Sequence, residues 1–205
     1  MGKLVVTEFM TLDGVAQAPG GPDEDRDDGF VHGGWQAPLL DEEAGSALFE
    51  QARSMDALLL GRKTYEIFAD YWPGAPEEIP FSGLLNRVPK YVASRTLTGP
   101  LTWQGSTLVA GDLAEGITAV KERHDEVHVI GSLDLVQSLL RFGLVDRLNL
   151  WLYPLLLGSG KQVFADGTVP TALRLTESVT YPNGTLQLAY ETAGAPTYGN
   201  LAGDD

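Results

Sequence analysis

The chain has 205 residues, of which 43% are hydrophobic and 20% are charged, and it contains no cysteine. This composition suits one large or two small globular domains. It excludes disulfides, thiol catalysis and cysteine-ligated zinc. The net charge of −14 argues against nucleic acids and anionic membranes as partners. The sequence has neither the roughly 18 consecutive apolar residues of a membrane span nor the apolar core of a signal peptide, which favours a cytoplasmic location.

A long loop follows the first predicted strand. The strand covers Lys3–Met10, and the loop covers Thr11–Gly34 and is rich in glycine and acidic residues. A loop of this length inside a compact domain is usually functional or disordered. Its acidic run Asp23–Asp28 is typical of a solvated surface. A helix is predicted next, over Asp41–Arg53, with acidic residues at its start.

Strands and helices then alternate along the chain. The predicted strands are Ala57–Leu60, Lys90–Ala93, Thr107–Ala110 and Glu126–Ile130. The predicted helices are Lys63–Ala69, Leu113–Glu122 with Asp112 as its cap, and Leu133–Phe142, whereas Pro73–Pro80 is predicted to be a loop. This alternation predicts a largely parallel sheet that is covered by helices on both faces.

The pattern changes in the last third of the chain. Leu148–Leu157 is strand-rich, and Leu173–Val179 and Thr185–Glu191 flank Tyr-Pro-Asn-Gly, a favourable hairpin turn. The sheet is therefore expected to finish with antiparallel strands. We expect a single domain over residues 1–192, and Ala193–Asp205 is predicted to be a flexible tail.

Three predicted strands end in short segments suited to binding an anion. In an open α/β sheet, ligands lie beyond the carboxyl ends of the parallel strands. The three segments are Gly61-Arg62-Lys63-Thr64, Ser94-Arg95 and Gly131-Ser132-Leu133. Glycine permits close approach of the backbone, the N–H groups that open a helix favour an anion, and the cations and hydroxyls add charge and hydrogen bonds. Each segment alone is also compatible with a surface turn or a simple cap, so the prediction depends on their meeting at one edge of the sheet.

Several common site types are unsupported by the sequence. It has no G-x-G-x-x-G after the first strand and no G-x-x-x-x-G-K-[ST], so neither a standard dinucleotide fingerprint nor a P-loop is present. The three histidines, His32, His124 and His128, lack the spacing of metal ligands, so no metal site is predicted. Gly158-Ser159-Gly160 is predicted to be a turn with unusual backbone dihedral angles.

These segments together resemble the dihydrofolate reductase-like superfamily, and in particular the reductase half of bacterial bifunctional riboflavin-pathway enzymes. The resemblance runs from Lys3 to about Glu191 through TLDGV, LLLGRKTYE, VASRTL and the specific block HVIGSLDLVQSLLRFGLVDRLNLWLYPLLLGSGKQVF. It implies a three-layer α/β fold with a central, mostly parallel sheet, helices on both faces and a C-terminal antiparallel hairpin. It also implies an NADPH-dependent reductase that forms a homodimer.

The resemblance also implies roles for individual residues. Six residues would hold the cofactor's pyrophosphate and 2′-phosphate, namely Gly61, Arg62, Lys63, Thr64, Ser94 and Arg95. The turn of Gly131, Ser132 and Leu133 would hold the pyrophosphate side and close over the nicotinamide end. The family often has two glycines where this chain has Gly131 and Ser132, and serine is expected to be tolerated there if its backbone is helical. NADPH differs from NADH by its charged 2′-phosphate, which a cation can recognise. Arg62→Ala is therefore expected to weaken NADPH binding more than NADH binding.

The substrate side is expected around the loop after the first strand. Asp13 and Gly14 would lie against the nicotinamide, where Asp13 either binds the substrate or caps the turn. Trp35 and Phe49 are predicted to wall an aromatic pocket, although Phe49 is equally compatible with the core, and Tyr153 is predicted to contribute to the same cleft. No other side-chain acid is apparent, so either water or Asp13 would supply the proton.

Two departures from the family limit the choice of substrate. True folate reductases carry an acid four residues before the helix aromatic, and counting back from Phe49 that position is Gly45. The zinc-ligand pattern of the deaminase partner is also absent. A stand-alone reductase with a different substrate is the leading hypothesis, and a non-catalytic nucleotide-binding protein and a folate reductase with a shifted helix register are the alternatives.

Overall fold

A computed structural model describes residues 1–109 and 111–201, and its centre is one sheet of eight strands. The strands are β1 (Lys3–Thr11), β2 (Ala57–Gly61), β3 (Lys90–Ala93), β4 (Ser106–Leu108), β5 (Glu126–Ile130), β6 (Arg147–Tyr153), β7 (Leu173–Thr180) and β8 (Leu186–Thr192). Their order across the sheet is β4-β3-β2-β5-β1-β6-β8-β7. Strands β1 to β6 pair in parallel, whereas β8 pairs antiparallel with β6 and β7. The predicted fold class is therefore confirmed, including the antiparallel end.

Five α-helices cover the two faces of this sheet. They are α1 (Glu42–Ala52), α2 (Arg62–Tyr71), α3 (Pro80–Arg87), α4 (Leu113–Arg123) and α5 (Leu133–Arg141), with short 3-10 turns at Asp27–Gly29, Ala37–Leu39 and Trp72–Gly74. Alternate residues of a strand point to opposite faces. In β2, Leu59 packs in the core that includes α4 and α5, and Leu58 and Leu60 pack in the core that includes α1, α2 and α3. This double burial explains why β2 is an uninterrupted apolar run.

Helix α3 was not predicted from the sequence. The predicted loop Pro73–Pro80 holds only a short turn at Trp72–Gly74, and a helix begins at Pro80. Proline suits the first position of a helix because its missing N–H would be unpaired there anyway. Leu84 and Leu85 are almost fully buried in the core. Tertiary burial of two leucines therefore stabilises a short helix whose serine and glycine obscured the periodicity.

Two helices carry aspartate caps. Asp41 accepts a hydrogen bond from the Ala44 N–H at 2.8 Å, and Asp112 accepts from the Ala114 N–H at 2.9 Å. The cap predicted at Asp112 is therefore confirmed. None of the helices within residues 1–109 and 111–201 is long and apolar enough to cross a membrane.

The C-terminal segment is partly held by hydrogen bonds. Ala193 N–H donates to the Ala172 carbonyl at 2.7 Å, and Ala172 N–H donates to the Gly194 carbonyl at 2.8 Å. Residues 202–205 of the predicted tail, and Ala110 at the end of the predicted strand Thr107–Ala110, lie outside the described residues. The division into a domain over residues 1–192 and a flexible tail stays a prediction.

The turn at Gly158-Ser159-Gly160 requires glycine at its last position. Gly160 has φ +130°, and a Cβ there would lie 2.6 Å from Val15 Cγ1 and 2.8 Å from Phe30 Cε2. Gly158 has φ +76°, but no atom lies within 4 Å of where its Cβ would be. The unusual dihedral angles predicted for this turn are confirmed, and the two glycines differ in the space around them.

We expect Gly160→Ala to destabilise the protein far more than Gly158→Ala. Positive φ should cost each variant about 1–2 kcal/mol, and the overlap with Val15 and Phe30 should cost Gly160→Ala roughly 1–3 kcal/mol more. Urea denaturation of both variants and the parent measures the difference. Equal destabilisation by the two substitutions would contradict this packing.

Candidate active site

A cleft of about 1600 Å³ lies at the carboxyl ends of the parallel strands. Strands β3, β2 and β5 are neighbours, with Gly61 opposite Ala93 and Leu59 opposite Val129. The segments that follow these strands therefore emerge at the same edge of the sheet. All nine residues predicted from them line the cleft, namely Gly61, Arg62, Lys63, Thr64, Ser94, Arg95, Gly131, Ser132 and Leu133. The volume exceeds the roughly 300–1,000 Å³ of an ordinary small-molecule pocket, which leaves room for two ligands side by side.

The turn after β5 contacts the turn after β2 directly. The Gly61 N–H donates a hydrogen bond to the Ser132 hydroxyl oxygen at 2.8 Å. A Cβ on Gly61 would lie 3.1 Å from both Cβ and Oγ of Ser132, so glycine is needed for this approach. Gly131 also has positive φ, at +70°, and a Cβ on it would meet Thr64 at 3.5 Å.

Ser132 does not meet the condition under which serine was expected to be tolerated, a helical backbone. Its φ of +69° and ψ of +56° place it in the left-handed region, which a non-glycine residue rarely adopts. The hydrogen bond from Gly61 compensates for that conformation, because it uses the serine hydroxyl to join the two turns. The chain thus accommodates serine by a side-chain contact, and the local backbone still follows a course suited to glycine.

Two helices begin at this cleft without a side-chain cap. Helix α2 follows Gly61 and helix α5 follows Ser132, and neither residue caps the N–H groups of the first turn. Helices α1 and α4, in contrast, are capped by aspartates. The uncapped N–H groups and the helix dipole favour an anion at the starts of α2 and α5.

The cations along the cleft differ in how far they are already paired. The Arg62 guanidinium lies 2.8 Å from a carboxylate oxygen of Glu66 on the same helix. Among the described residues, Arg95 has no hydrogen bond or ion pair. Arg141 also lines the cleft without a partner in the described part of the chain, and it was missed by sequence reasoning because it ends a helix rather than following a strand. Arg95 and Arg141 are thus the cations most available to an anionic ligand.

Lys63 is held by carboxylates from the acidic loop. Its Nζ lies 2.6 Å from Asp25 Oδ1 and 2.5 Å from Asp27 Oδ2. Lys161 Nζ lies 2.7 Å from the same two carboxylates. Although partial burial opposes it, hydrogen bonding to Lys161 and Lys63 lowers the pKa of Asp25 to about 2. The interpretation of Asp23–Asp28 as a merely solvated surface is therefore wrong for Asp25 and Asp27, because both fold back onto cleft lysines.

Asp13 is not brought into the cleft. Its carboxylate accepts hydrogen bonds from the Thr11 hydroxyl and from the N–H groups of Leu157 and Gly158. The hydrogen bond from Thr11, followed by that from Gly158, lowers its pKa. Neither Asp13 nor Gly14, whose φ is +82°, is among the residues that line the cleft. The Asp13 carboxylate therefore joins the loop after β1 to the Leu157–Gly158 segment, and the hydrogen bonds to its ionised form make it a poor proton donor.

The three aromatic residues predicted to wall the substrate pocket do not all border the cleft. Trp35 and Tyr153 pack edge to face at 5.5 Å in a buried cluster and do not line the cleft. Their polar groups are occupied, because Trp35 donates to the Gln17 carbonyl and the Tyr153 hydroxyl accepts from Gln36. Phe49 lines the cleft, where it packs edge to face against Phe81 at 5.5 Å. Only Phe49 of the three therefore borders the cleft, and it shares that role with core packing.

Gly45 stands where counting back from Phe49 placed the acid of folate reductases, and the space beside it is open. Gly45 lines the cleft, and no atom lies within 4 Å of where its Cβ would be. Glu42, one turn earlier, also lines the cleft. No carboxylate therefore occupies the Gly45 position itself.

Glu8 is a buried acid in the wall of the cleft that sequence reasoning missed. It lies on β1 between Thr7 and Phe9, and all three line the cleft. The residue is only 2% exposed, and its Oε1 has no hydrogen-bond partner among the described residues. Burial raises the pKa of Glu8 to about 8, so the carboxyl is mostly protonated at neutral pH. A single acid inside the apolar run of a central parallel strand was the available signal, because such a position is normally apolar.

The described residues offer no metal site, since no group of three or more His, Asp or Glu side chains is arranged to hold an ion.

The fold and the cleft together define an α/β protein of the dihydrofolate reductase-like class, with a cleft at the carboxyl ends of its parallel strands. Residues 2–187 match the family model described as the RibD C-terminal domain. The chain belongs to this family.

Comparisons with individual proteins agree with that assignment. The chain is 27% identical over 175 residues to the uncharacterized protein YyaP of Bacillus subtilis, and the match covers 82% of this chain and 90% of YyaP. It is also similar to a putative riboflavin biosynthesis protein from Shewanella, with a TM-score of 0.66, 20% identity, and coverage of 93% of this chain and 99% of that one. A pyrimidine reductase-like protein from Corynebacterium diphtheriae has a TM-score of 0.65 and 17% identity, and the match covers 94% of this chain and 92% of that one.

A bifunctional enzyme is similar over part of its length. The diaminohydroxyphosphoribosylaminopyrimidine deaminase and 5-amino-6-(5-phosphoribosylamino)uracil reductase from Thermotoga maritima has a TM-score of 0.60 and 14% identity. The match covers 94% of this chain but 57% of that one. At these identities the structural comparisons establish the shared fold.

Proposed function

We propose that this protein is an NADPH-dependent reductase that acts on a small, flat, conjugated substrate with a C=N, C=C or C=O group. The observation that carries the proposal is a single cleft that holds two uncapped helix N-termini and two arginines without a partner in the described residues, in a chain of the RibD C-terminal domain family. Assembly as a homodimer, which the family resemblance implies, stays a prediction.

The residues of the cleft fit a dinucleotide with several phosphates. Gly61 and Gly131 leave no side chain between the backbone and a ligand, and the N–H groups that open α2 and α5 are suited to the pyrophosphate. Arg95 would hold the 2′-phosphate, because it has no other partner among the described residues and a guanidinium binds phosphate in bidentate fashion. When bound, NADPH supplies the hydride.

Glu8 would supply the proton in this reaction. In the reduction of a C=N or C=O bond, the electron pair of that bond would move to nitrogen or oxygen, and this atom would need a proton. The O–H bond of Glu8 breaks as the new N–H or O–H bond forms, and Glu8 is left as a carboxylate that regains a proton from solvent. A carboxyl whose pKa is raised to about 8 is suited to this role, because it still holds its proton at neutral pH.

Titration with NADPH and NADH tests the proposal directly. We expect NADPH to bind with a dissociation constant well below about millimolar and NADH to bind more weakly. A panel of pterin, pyrimidine, quinone and cyclic imine acceptors, followed by NADPH absorbance, then identifies the acceptor class. Absence of NADPH binding would refute the proposal, and binding without turnover of any acceptor would favour the non-catalytic nucleotide-binding alternative.

A further inference from the structure

One part of the cleft is lined by apolar side chains, and we call it the aromatic lobe. Its six residues lie on α1, α2, the 3-10 turn and α3 and are partly exposed, namely Leu48, Phe49, Ile67, Phe68, Trp72 and Phe81. The Phe81 ring lies 5.5 Å from the Phe49 ring and 6.4 Å from the Trp72 ring, measured between centroids. The Phe68 ring lies 6.1 Å from the Trp72 ring. These rings form a continuous wall, and a concave apolar surface of this kind is typical of a ligand pocket.

The aromatic lobe adjoins the turn that is proposed to hold the cofactor's phosphates. Ile67 and Phe68 follow Lys63 and Thr64 on α2 at a spacing of four residues. Side chains at this spacing lie on the same face of a helix, about one turn apart. The lobe differs from that turn in its charge, because no lysine or arginine of α1, the 3-10 turn or α3 is among the described residues that line the cleft. The lobe therefore lies beside the proposed cofactor site but is not suited to a phosphate.

Trp72 adds a hydrogen-bond donor to these apolar walls. The indole N–H groups of Trp35, Trp103 and Trp151 each donate to an oxygen of the protein, and these three residues are at most 8% exposed. Trp72 is partly exposed, and its indole N–H has no hydrogen-bond partner within the described part of the chain. A tryptophan placed in this way offers a ligand a flat apolar face and one donor.

Carboxylates flank the aromatic lobe. Glu42 begins α1, and Glu78 stands shortly before α3. Both line the cleft, are exposed and have no ion pair with any described residue. Glu50 also lines the cleft, but it pairs with Arg53. Such carboxylates repel an anion and attract a cation, and the faces of aromatic rings also attract a cation.

We propose that the aromatic lobe binds the ring of the substrate, and that this substrate is a planar aromatic compound that is uncharged or positively charged. This inference rests on the proposed reductase function, since the lobe would hold the acceptor beside the cofactor. Contact of the ring with the apolar walls supplies affinity, and Glu42 and Glu78 supply discrimination against anions. The substrate class therefore differs from the phosphoribosylamino compound in the name of the Thermotoga enzyme.

Three quinoline probes test the preference for charge. N-methylquinolinium, quinoline and quinaldate share one ring system and are cationic, uncharged and anionic at neutral pH. Calorimetry is performed at one fixed ionic strength, because charge contacts at a surface are screened by salt. We expect the parent protein to bind N-methylquinolinium at least about 10-fold more tightly than quinaldate.

Substitution of the flanking carboxylates identifies the source of that preference. Glu42→Gln/Glu78→Gln should reduce the ratio of the two affinities by about 3-fold, which is the size expected for exposed charges. The matched control is Glu43→Gln/Glu77→Gln, which removes the same charge from neighbouring residues that do not line the cleft. The control should keep the ratio of the parent.

Gly45 allows the lobe to be filled from α1. It shares a helix face with Leu48 and Phe49, it lines the cleft, and no atom lies within 4 Å of where its Cβ would be. Gly45→Phe should therefore place a ring in the lobe and weaken N-methylquinolinium binding at least about 10-fold. The matched control is Gly83→Phe, because Gly83 is a helical glycine with equally open space that does not line the cleft. Urea denaturation shows that both variants fold.

Tryptophan fluorescence locates the bound probe independently. Trp72 is the partly exposed tryptophan and it borders the lobe, so N-methylquinolinium should quench its emission. Trp72→Phe keeps an aromatic ring in the wall and should remove most of the quenching. Quenching that is unchanged in this variant would place the probe elsewhere and overturn the inference.

Saturation with NADP⁺ distinguishes a substrate site from a site for the cofactor's adenine. NADP⁺ has no hydride to donate, so the probe is not consumed, and N-methylquinolinium should bind the NADP⁺ complex at least as tightly as the free protein. Competition between the two would overturn the inference. So would equal affinity for N-methylquinolinium and quinaldate, no binding of any probe, or equal effects of Gly45→Phe and Gly83→Phe. Absence of NADPH binding by the parent removes the reductase, whereas normal NADPH binding with any of these outcomes removes only the substrate class.

Discussion

Replacing Glu8 by glutamine is expected to slow reduction of a C=N or C=O acceptor by about 10²–10⁴-fold while NADPH affinity changes little. Glutamine has nearly the same shape and can still donate an N–H hydrogen bond, but it has no proton to transfer. The measurement is the single-turnover rate of NADPH oxidation with an acceptor found in the panel. An unchanged rate would remove Glu8 from the proton-transfer step.

If Glu8 donates the proton, the rate of NADPH oxidation should change with pH in a definite direction. Burial raises the pKa of Glu8 to about 8, and the protonated form is the one that reacts. The rate should therefore fall as pH rises through about 8 in the parent protein. Glu8→Gln should lose that decline, because its side chain does not titrate. A decline that persists in the variant would have to come from another group.

Glu8 also predicts a pH-dependent stability that needs no substrate. The pKa of the carboxyl is 4.5 in the reference state and about 8 in the folded protein, so the folded state holds the proton more tightly. The stability contributed by the protonated carboxyl is fully present below the unfolded pKa and is lost as pH rises through about 8. Urea midpoints measured between pH 5 and about 9 should therefore fall more steeply for the parent than for Glu8→Gln. Parallel curves would show that Glu8 is not a buried neutral acid.

Replacing Arg95 by alanine should weaken NADPH binding by about 10- to 100-fold and leave NADH binding nearly unchanged. The 2′-phosphate is the only group that distinguishes the two cofactors, and Arg95 is a cation of the cleft with no partner among the described residues. Arg62→Ala, which the sequence predicts to weaken NADPH binding more than NADH binding, should have a smaller effect than Arg95→Ala because Arg62 already pairs with Glu66.

Fluorescence titrations with both cofactors at one fixed ionic strength measure this difference. Arg87→Ala is the matched control, because it removes the same charge at the end of α3 and Arg87 does not line the cleft. Equal weakening of NADPH and NADH by Arg95→Ala would show that Arg95 contributes general attraction, and not recognition of the 2′-phosphate. The same loss in Arg87→Ala would point to the net charge of the protein as the cause.

The sequence by itself determined the class of fold and the position of the cleft at the carboxyl ends of the parallel strands. Strand β2 is an uninterrupted apolar run because it is buried on both faces. The glycines and hydroxyl residues that follow β2, β3 and β5 are a local property of the strand ends. Since parallel strands end at the same edge, local signals were enough to predict that Gly61–Thr64, Ser94–Arg95 and Gly131–Leu133 would lie along one cleft. The aspartate cap of α4 and the hairpin turn were predictable for the same reason, because their hydrogen bonds join residues close in the chain.

Only the tertiary structure decided which side chains remain free in that cleft. The Asp13 carboxylate accepts hydrogen bonds from the N–H groups of Leu157 and Gly158, which lie about 145 residues further along the chain. Lys63 is paired with a loop nearly 40 residues before it. The Oε1 atom of Glu8, in contrast, is buried and has no hydrogen-bond partner in the described part of the chain. Availability of a polar group depends on every atom packed around it, and contacts between segments far apart in sequence leave no periodic pattern from which they could be predicted.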